Sequence, residues 1–189
     1  MNSKKVLIMV GSPRKNGNSS TLADRTARGI VASGGEYEMY HLHEMDIRVC
    51  TACDVCHEDA DTYCTIEDDM KPLYPKIRDA HALVIASPIY WFSVSAQTKV
   101  FMDRWYAFGS PEGYVLKGKK FGILLCYADA DPFVSGAVNA LRMFQDAVHY
   151  IEGTITGAVY GSAEQAGEIQ SNKGVLDSAF QLGRQLVER

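Results

Sequence analysis

Four of the five cysteines in this 189-residue chain fall in one short stretch, as Cys50-x2-Cys53-x2-Cys56-x7-Cys64. Three thiolates three residues apart on a loop can turn onto one face of a compact 4Fe-4S cubane, and a fourth, eight residues on, can reach round to close it. Zinc more often takes two separated Cys-x2-Cys knuckles, because tetrahedral closure about one ion wants two independent turns. His57 could replace a cysteine, so zinc stays open as a second ligand. The third reading is thiols without metal, idle or cycling as reversible disulfides. The neighbouring acids Asp54, Glu58, Asp59 and Asp61 disfavour extra negative charge on a reduced cluster and suit a solvated lid. Cys126 closes an apolar run and reads as a small core hydrophobe.

A second constellation lies near the start, where Ser12-Pro13-Arg14-Lys15-Asn16-Gly17-Asn18-Ser19-Ser20-Thr21 follows an apolar run and precedes residues at helical spacing. A strand-loop-helix junction aims backbone N–H groups and a positive helix end at one spot, and this loop adds hydroxyls, amides and the Arg14 guanidinium. A phosphate belongs there, against the plainer reading of an ordinary capped turn. Glycines at 11 and 17 fit neither Gly-x-Gly-x-x-Gly nor Gly-x4-Gly-Lys-Ser/Thr, so a dinucleotide or nucleoside triphosphate is disfavoured and a phosphate monoester held without metal is favoured. Asn18, Ser19 or Ser20 is expected to cap the helix.

The elements that must position these residues follow from hydrophobic periodicity. Val6 to Val10 is a continuous apolar run, the pattern of a strand covered on both faces in a parallel sheet. Residues 36–42 alternate and predict a second strand near the sheet edge; 82–86, 120–127 and 153–160 predict three more. Between them, helical spacing follows Thr21 and recurs over 68–80, about 94–106, 132–150 and a C-terminal helix carrying Leu176, Phe180 and residues 183–187. Pro75 is expected to kink the second of these or mark its start. Val134, Val138, Leu141, Phe144 and Val148 are expected to face inward. Five strands each followed by a helix describe an α/β, flavodoxin-like, doubly wound five-stranded parallel sheet of order 2-1-3-4-5. It would form one domain over 1–189, with the cysteine-rich insertion (about 47–66) after strand 2.

That order reverses beside strands 1 and 3, and a ligand belongs at the carboxyl ends of strands 1, 3 and 4. Pro88-Ile89-Tyr90-Trp91-Phe92 and the Tyr127 to Asp131 segment lie there with aromatic rings and free backbone amides. A flat ring with a hydrogen-bonding edge fits between such loops, and flavin mononucleotide (FMN) carries both that ring and a single phosphate. The expected FMN-binding residues are Ser12, Arg14, Asn18, Ser19, Ser20, Thr21, Pro88, Ile89, Tyr90, Trp91, Phe92, Tyr127 and Asp129; Cys50, Cys53, Cys56 and Cys64 are the expected metal ligands.

The residues Gly11 to Ser19, Ser87-Pro88-Ile89-Tyr90-Trp91 and Lys99-x3-Asp103-Arg104, together with the four-cysteine insertion, resemble the NADPH-dependent FMN reductase superfamily, within it the iron-sulfur flavoprotein branch. The resemblance covers nearly the whole chain. It implies FMN with its phosphate in the Ser12 to Thr21 loop and its ring against Pro88 to Phe92. It also implies a homo-oligomer, dimer or tetramer, whose site is completed near a neighbouring subunit.

Net charge of −4 and the lack of a Lys/Arg stripe argue against nucleic acid. The five-residue run Val6 to Val10 is too short for a signal peptide, and nothing approaches a membrane span, so a cytoplasmic protein is expected. The expected function is an FMN-dependent oxidoreductase, with NAD(P)H or a protein as donor and a small molecule or protein as acceptor. Flavin and cluster together would convert between two-electron and one-electron couples. A non-enzymatic electron carrier and a cluster-free quinone or flavin reductase are the alternatives. Hydride transfer demands no side-chain acid or base, and none is assigned; His41, His43, His81 and His149 show no catalytic spacing.

Overall fold

The computed structural model describes residues 4–58 and 63–188; Asp59 and Asp61 lie outside them. The central sheet has parallel strands β1 (Lys5–Val10), β2 (Glu36–His41), β3 (Ala82–Tyr90), β4 (Lys120–Tyr127) and β5 (Thr154–Ser162) in the order β2-β1-β3-β4-β5. This is the flavodoxin-like order that the periodicity predicts. Val6 to Val10 are wholly buried because β1 sits inside the sheet with helices on both faces, whereas β2, at the edge, is half exposed. Alternate residues of β1 point to opposite layers: Leu7 and Met9 meet one, Val6, Ile8 and Val10 the other.

Helices α1 (Asn18–Ala32) and α5 (Lys173–Val187) cover the face of Val6 and Ile8, and α2 (Met70–Asp79), α3 (Ala96–Asp103) and α4 (Ala137–Tyr150) cover the other. The α1–α5 crossing is close because glycines meet backbone there: a Cβ on Gly29 would lie 2.0 Å from the Phe180 carbonyl oxygen, and one on Gly183 2.0 Å from that of Thr26. Both faces of the sheet are thus closed, leaving the strand ends for ligands.

Several boundaries differ from expectation, each for a local reason. Gly17 is the N-cap of α1 without a side-chain cap bond, so Asn18, Ser19 and Ser20 form its first turn instead of capping it. Helix α2 starts at Met70 and runs through Pro75, so the proline does not mark its start. Val94 belongs to a two-residue strand, Ser93–Val94, folded antiparallel onto the end of β3, and α3 begins only after Ser95, whose hydroxyl accepts the Thr98 N–H. Beyond α3 the chain tightens into a 3-10 segment, Arg104–Phe108. Helix α4 begins at Ala137: Asp131 accepts the Phe133 and Val134 amides in a turn, and Gly136 takes φ +76°. Val134 is consequently exposed, and the inward stripe is Ala137, Ala140, Phe144 and Val148.

Candidate functional site

The loop after β1 presents the first turn of α1 with its donors open. The first amide of the turn to find a partner is that of Thr21, which bonds the Gly17 carbonyl at 3.0 Å. Among the described residues, no acceptor receives the N–H groups of Asn18, Ser19 and Ser20. The hydroxyls are used differently from one another. Ser20 donates to the Arg14 carbonyl (3.2 Å) and Thr21 to that of Gly17 (3.1 Å), so both shape the loop. Ser12 Oγ receives the Arg14 amide at 3.2 Å. Asn18 reaches across the molecule: its Nδ2 donates to the Ala163 and Gln165 carbonyls (3.1 and 2.9 Å) and its Oδ1 accepts the Ile169 amide (3.2 Å).

Ser12, Arg14, Gly17, Asn18 and Ser19 line a cleft of about 100 Å³ with Pro88, Ile89, Tyr90, Cys126 and Tyr127. The cleft shares Ile89, Tyr127 and Ala128 with a second hollow of about 220 Å³, bounded by Trp91, Phe92, Asp129 and Ser135. Thus eleven of the thirteen expected FMN-contacting residues line one or other of two adjoining spaces at the carboxyl ends of β1, β3 and β4. Ser20 lines neither, and Thr21 faces a polar hollow with Arg25 and Arg28. Larger hollows exist elsewhere, one of about 350 Å³ among Met102, Trp105, Tyr106, Tyr114 and Tyr150. The smaller cleft is the better candidate because it joins open helix-end amides to the strand-order reversal.

The aromatic loop is a two-residue hairpin. Tyr90 pairs with Ser93, leaving Trp91 and Phe92 as central residues at φ +48° and +64°. That left-handed pair is the geometry of a type I′ turn, usually made by Asn-Gly. Here it displays Trp91 at 92% exposure, with Phe92 backed by Gly136, on which a Cβ would lie 2.6 Å from the Phe92 Cα. Left-handed backbone that shows an indole to solvent makes this hairpin a candidate contact surface.

Cys126 is buried, as its place at the end of an apolar run predicts, but it also forms part of the cleft wall. Burial pushes its thiol up to about 12, so it stays protonated. Ala163 and Glu164 also line the cleft, and neither carries a sequence signal, since the start of α1 meets the end of β5 only through the folded sheet.

The cysteine insertion is anchored at neck and tip. At the neck, Asp68 receives the Arg48 and Met70 amides at 3.0 Å each and is paired with Arg104, whose Nη1 also reaches the Arg48 carbonyl at 2.9 Å. Near the tip, Tyr106 donates to Asp54 (2.9 Å), and His57 Nε2 lies 2.9 Å from the Tyr106 carbonyl with its ring stacked on the tyrosine. His57 is thereby occupied as a strut. Hydrogen bonds from the Val55 amide, Thr51 and Thr65 hold the Cys53 thiol below its ordinary range. Burial, and then the nearby Cys64, Cys53 and Cys50, push Cys56 up. Among the described residues, no three His, Cys, Asp or Glu side chains converge on one metal-ion position.

The chain belongs to the NADPH-dependent FMN reductase family, whose model matches residues 4–166. It is, accordingly, an FMN-dependent NAD(P)H oxidoreductase. The chain is 31% identical over 185 residues to an iron-sulfur flavoprotein of Archaeoglobus fulgidus, covering 97% of this chain and 79% of that one. It is 24% identical over 182 residues to the putative NAD(P)H-dependent FMN-containing oxidoreductase YwqN of Bacillus subtilis, covering 94% and 96%. The NAD(P)H:quinone oxidoreductase of Methanothermobacter marburgensis superposes with TM-score 0.76 at 19% identity over 99% of this chain and 98% of that one, a likeness of fold. Among the described residues no helix is long and apolar enough to cross a membrane.

Proposed function

We propose that FMN sits with its phosphate against the amides of Ser12, Asn18 and Ser19 and the Arg14 side chain, and its ring between the Pro88 to Phe92 hairpin and the Tyr127 to Asp129 turn. The observation that carries this reading is the set of unpartnered α1 amides opening into a cleft whose far wall is aromatic. When bound, FMN supplies two-electron acceptance from NAD(P)H and release in pairs or singly. The chain's own part is positional: Arg14 and the helix end fix the phosphate, Tyr90 and Tyr127 flank the ring, and protonated Cys126 keeps charge out of the wall. Trp91 and Phe92 face where a nicotinamide or an aromatic acceptor would approach.

Cys50, Cys53, Cys56 and Cys64 are proposed to hold a 4Fe-4S cluster that passes electrons to a small-molecule or protein acceptor. N–H and O–H groups aimed at Cys53 suit a thiolate ligand, and the Cys-x2-Cys-x2-Cys-x7-Cys spacing suits a compact cluster. The name of the Archaeoglobus relative supports the same assignment.

Anaerobic purification followed by visible spectroscopy and assays for FMN, iron and NAD(P)H oxidation tests the whole. Flavin with about four irons per chain is expected, and Cys53→Ser should lose the iron while FMN stays. Flavin and turnover without iron would reduce the function to a cluster-free reductase. Flavin without turnover on any small acceptor would make it a carrier between proteins, and protein that takes up no FMN would end the flavin reading.

A further inference from the structure

Behind the candidate cleft lies a buried polar knot at the start of α3. Ser87, Ser95 and Thr98 are each fully buried. Ser95 Oγ lies 2.7 Å from the Gly11 carbonyl oxygen, 3.0 Å from Thr98 Oγ1 and 3.3 Å from the Thr98 amide. A carbonyl only accepts and a hydroxyl has one proton, so Ser95 must donate to Gly11. Thr98 must then donate its hydroxyl proton to Ser95, which fills both remaining lone pairs of Ser95 Oγ. The proton order of the chain is fixed as Thr98 to Ser95 to Gly11.

The consequence falls on the next peptide. A trans peptide is planar, with its C=O and N–H on opposite sides. Drawing the Gly11 carbonyl toward the start of α3 therefore turns the Ser12 N–H away from it. That amide has no internal acceptor among the described residues, and Ser12 lines the cleft. Position 11 admits no side chain, since a Cβ would lie 1.9 Å from Thr98 Oγ1, so the contact brings backbone directly onto the hydroxyl.

We infer that Ser95 is a positioning residue for the phosphate: its hydroxyl orients the Gly11–Ser12 peptide so that the Ser12 amide is held ready as a donor to a phosphate monoester. This rests on the flavin reading above. The Ser95 amide separately bonds Ser87 Oγ at 3.0 Å, and Ser87 bonds the Pro88 carbonyl at 2.8 Å. Because that arm runs through backbone, Ser95→Ala leaves it in place and isolates the phosphate arm.

The test is fluorescence titration of the apoprotein with FMN and with riboflavin, which lacks the phosphate. Ser95→Ala is expected to raise the FMN dissociation constant by about tenfold and that of riboflavin by less than about threefold. Thr98→Val, which keeps the Ser95 to Gly11 bond, should leave the ratio of the two constants near that of the wild type. A purely structural role would lower thermal stability while leaving that ratio unchanged, and this would overturn the inference, as would equal weakening of both ligands. Should Ser95→Ala fail to fold, Ser95→Cys, near in size with a weak donor, must show the same selective loss, smaller in degree, or the inference falls. Wild-type protein that binds neither flavin would refute the flavin reading itself; wild-type binding with an unmoved ratio in the variants would refute only the role of Ser95.

Discussion

Removing Arg104 should destabilise the protein severely, and removing the charge of Asp68 as well should partly restore it. The two side chains are 1% and 0% exposed, so neither charge has water to fall back on. Burial alone would raise the Asp68 carboxyl, but hydrogen bonds from Arg104 and from the Arg48 and Met70 amides outweigh it and hold it below the usual range. In Arg104→Met the carboxylate stays buried without its counter-ion, and the Arg48 carbonyl loses its donor. Breaking a buried pair in this way costs about 3–5 kcal/mol, a large share of the roughly 5–15 kcal/mol that holds a domain folded. For a chain of this size that is a fall in Tm of roughly 6–20 °C. Asp68→Asn in the same background removes the stranded charge but keeps an oxygen acceptor for only one of the Arg48 and Met70 amides, which bond different carboxylate oxygens, so the double variant should regain about 1–2 kcal/mol. Urea denaturation of the wild type, both single variants and the double variant measures all four corners. Limited proteolysis reports the insertion, which should be cut faster in Arg104→Met because its neck is open. A cost below about 1 kcal/mol for Arg104→Met, or a double variant no more stable than Arg104→Met, would refute the electrostatic account.

Gly11→Ala should cost at least about 1–3 kcal/mol by overpacking against Thr98, read from its melting temperature, and Thr98→Ala should recover part of it. Replacing Trp91-Phe92 by Asn-Gly relieves two left-handed residues and should raise stability by about 1–2 kcal/mol or more in urea while slowing NAD(P)H oxidation; a destabilised hairpin would show that the aromatic pair packs more than it strains. Glu38, held at about 2 by Lys5, Lys76 and Tyr40 against an ordinary 4.5, contributes stability that is full above pH 4.5 and lost as pH falls toward 2. The stability gap between wild type and Glu38→Gln should therefore close across that window in pH-dependent melts, and a gap that is constant with pH would contradict it.

Sequence makes legible the features that chain neighbours decide. The run Val6 to Val10 announces a strand buried on both faces, and five such periodic segments leave little choice of sheet order. The candidate phosphate loop and the cysteine spacing are visible for a similar reason, since each lies in one short stretch of chain. Helix starts depart from expectation where a distant or competing contact sets them. Asn18 looks like a cap, but its amide is taken by residues 145–151 positions away, leaving Gly17 as cap. Val94 has helical spacing with the residues after it, yet hairpin pairing with Ile89 claims it. Arg104 stands out only as part of a resemblance, because its partners Asp68 and Arg48 are 36 and 56 residues away. Glu164 and Ala163 cannot be named at all without the sheet that carries β5 to the phosphate loop.

Helix α3 explains why these distant contacts matter to function. Its first turn is capped by Ser95, which donates to the Gly11 carbonyl at the start of the loop after β1, and the 3-10 extension at its other end carries Arg104 and Tyr106, which hold the neck and tip of the cysteine insertion. Eight helical residues span about 12 Å, so the two sets of contacts lie at opposite ends of one short element. The buried polar groups of the α3 segment sit at these two ends, while its middle, at Phe101 and Met102, is apolar packing. Contacts that far apart with no shared partner act independently. Damage at Ser95 should accordingly appear in flavin affinity, and damage at Arg104 in the integrity of the insertion. Had one network joined both ends, neither could be altered without the other; the division along α3 predicts that the insertion and the cleft can be perturbed one at a time.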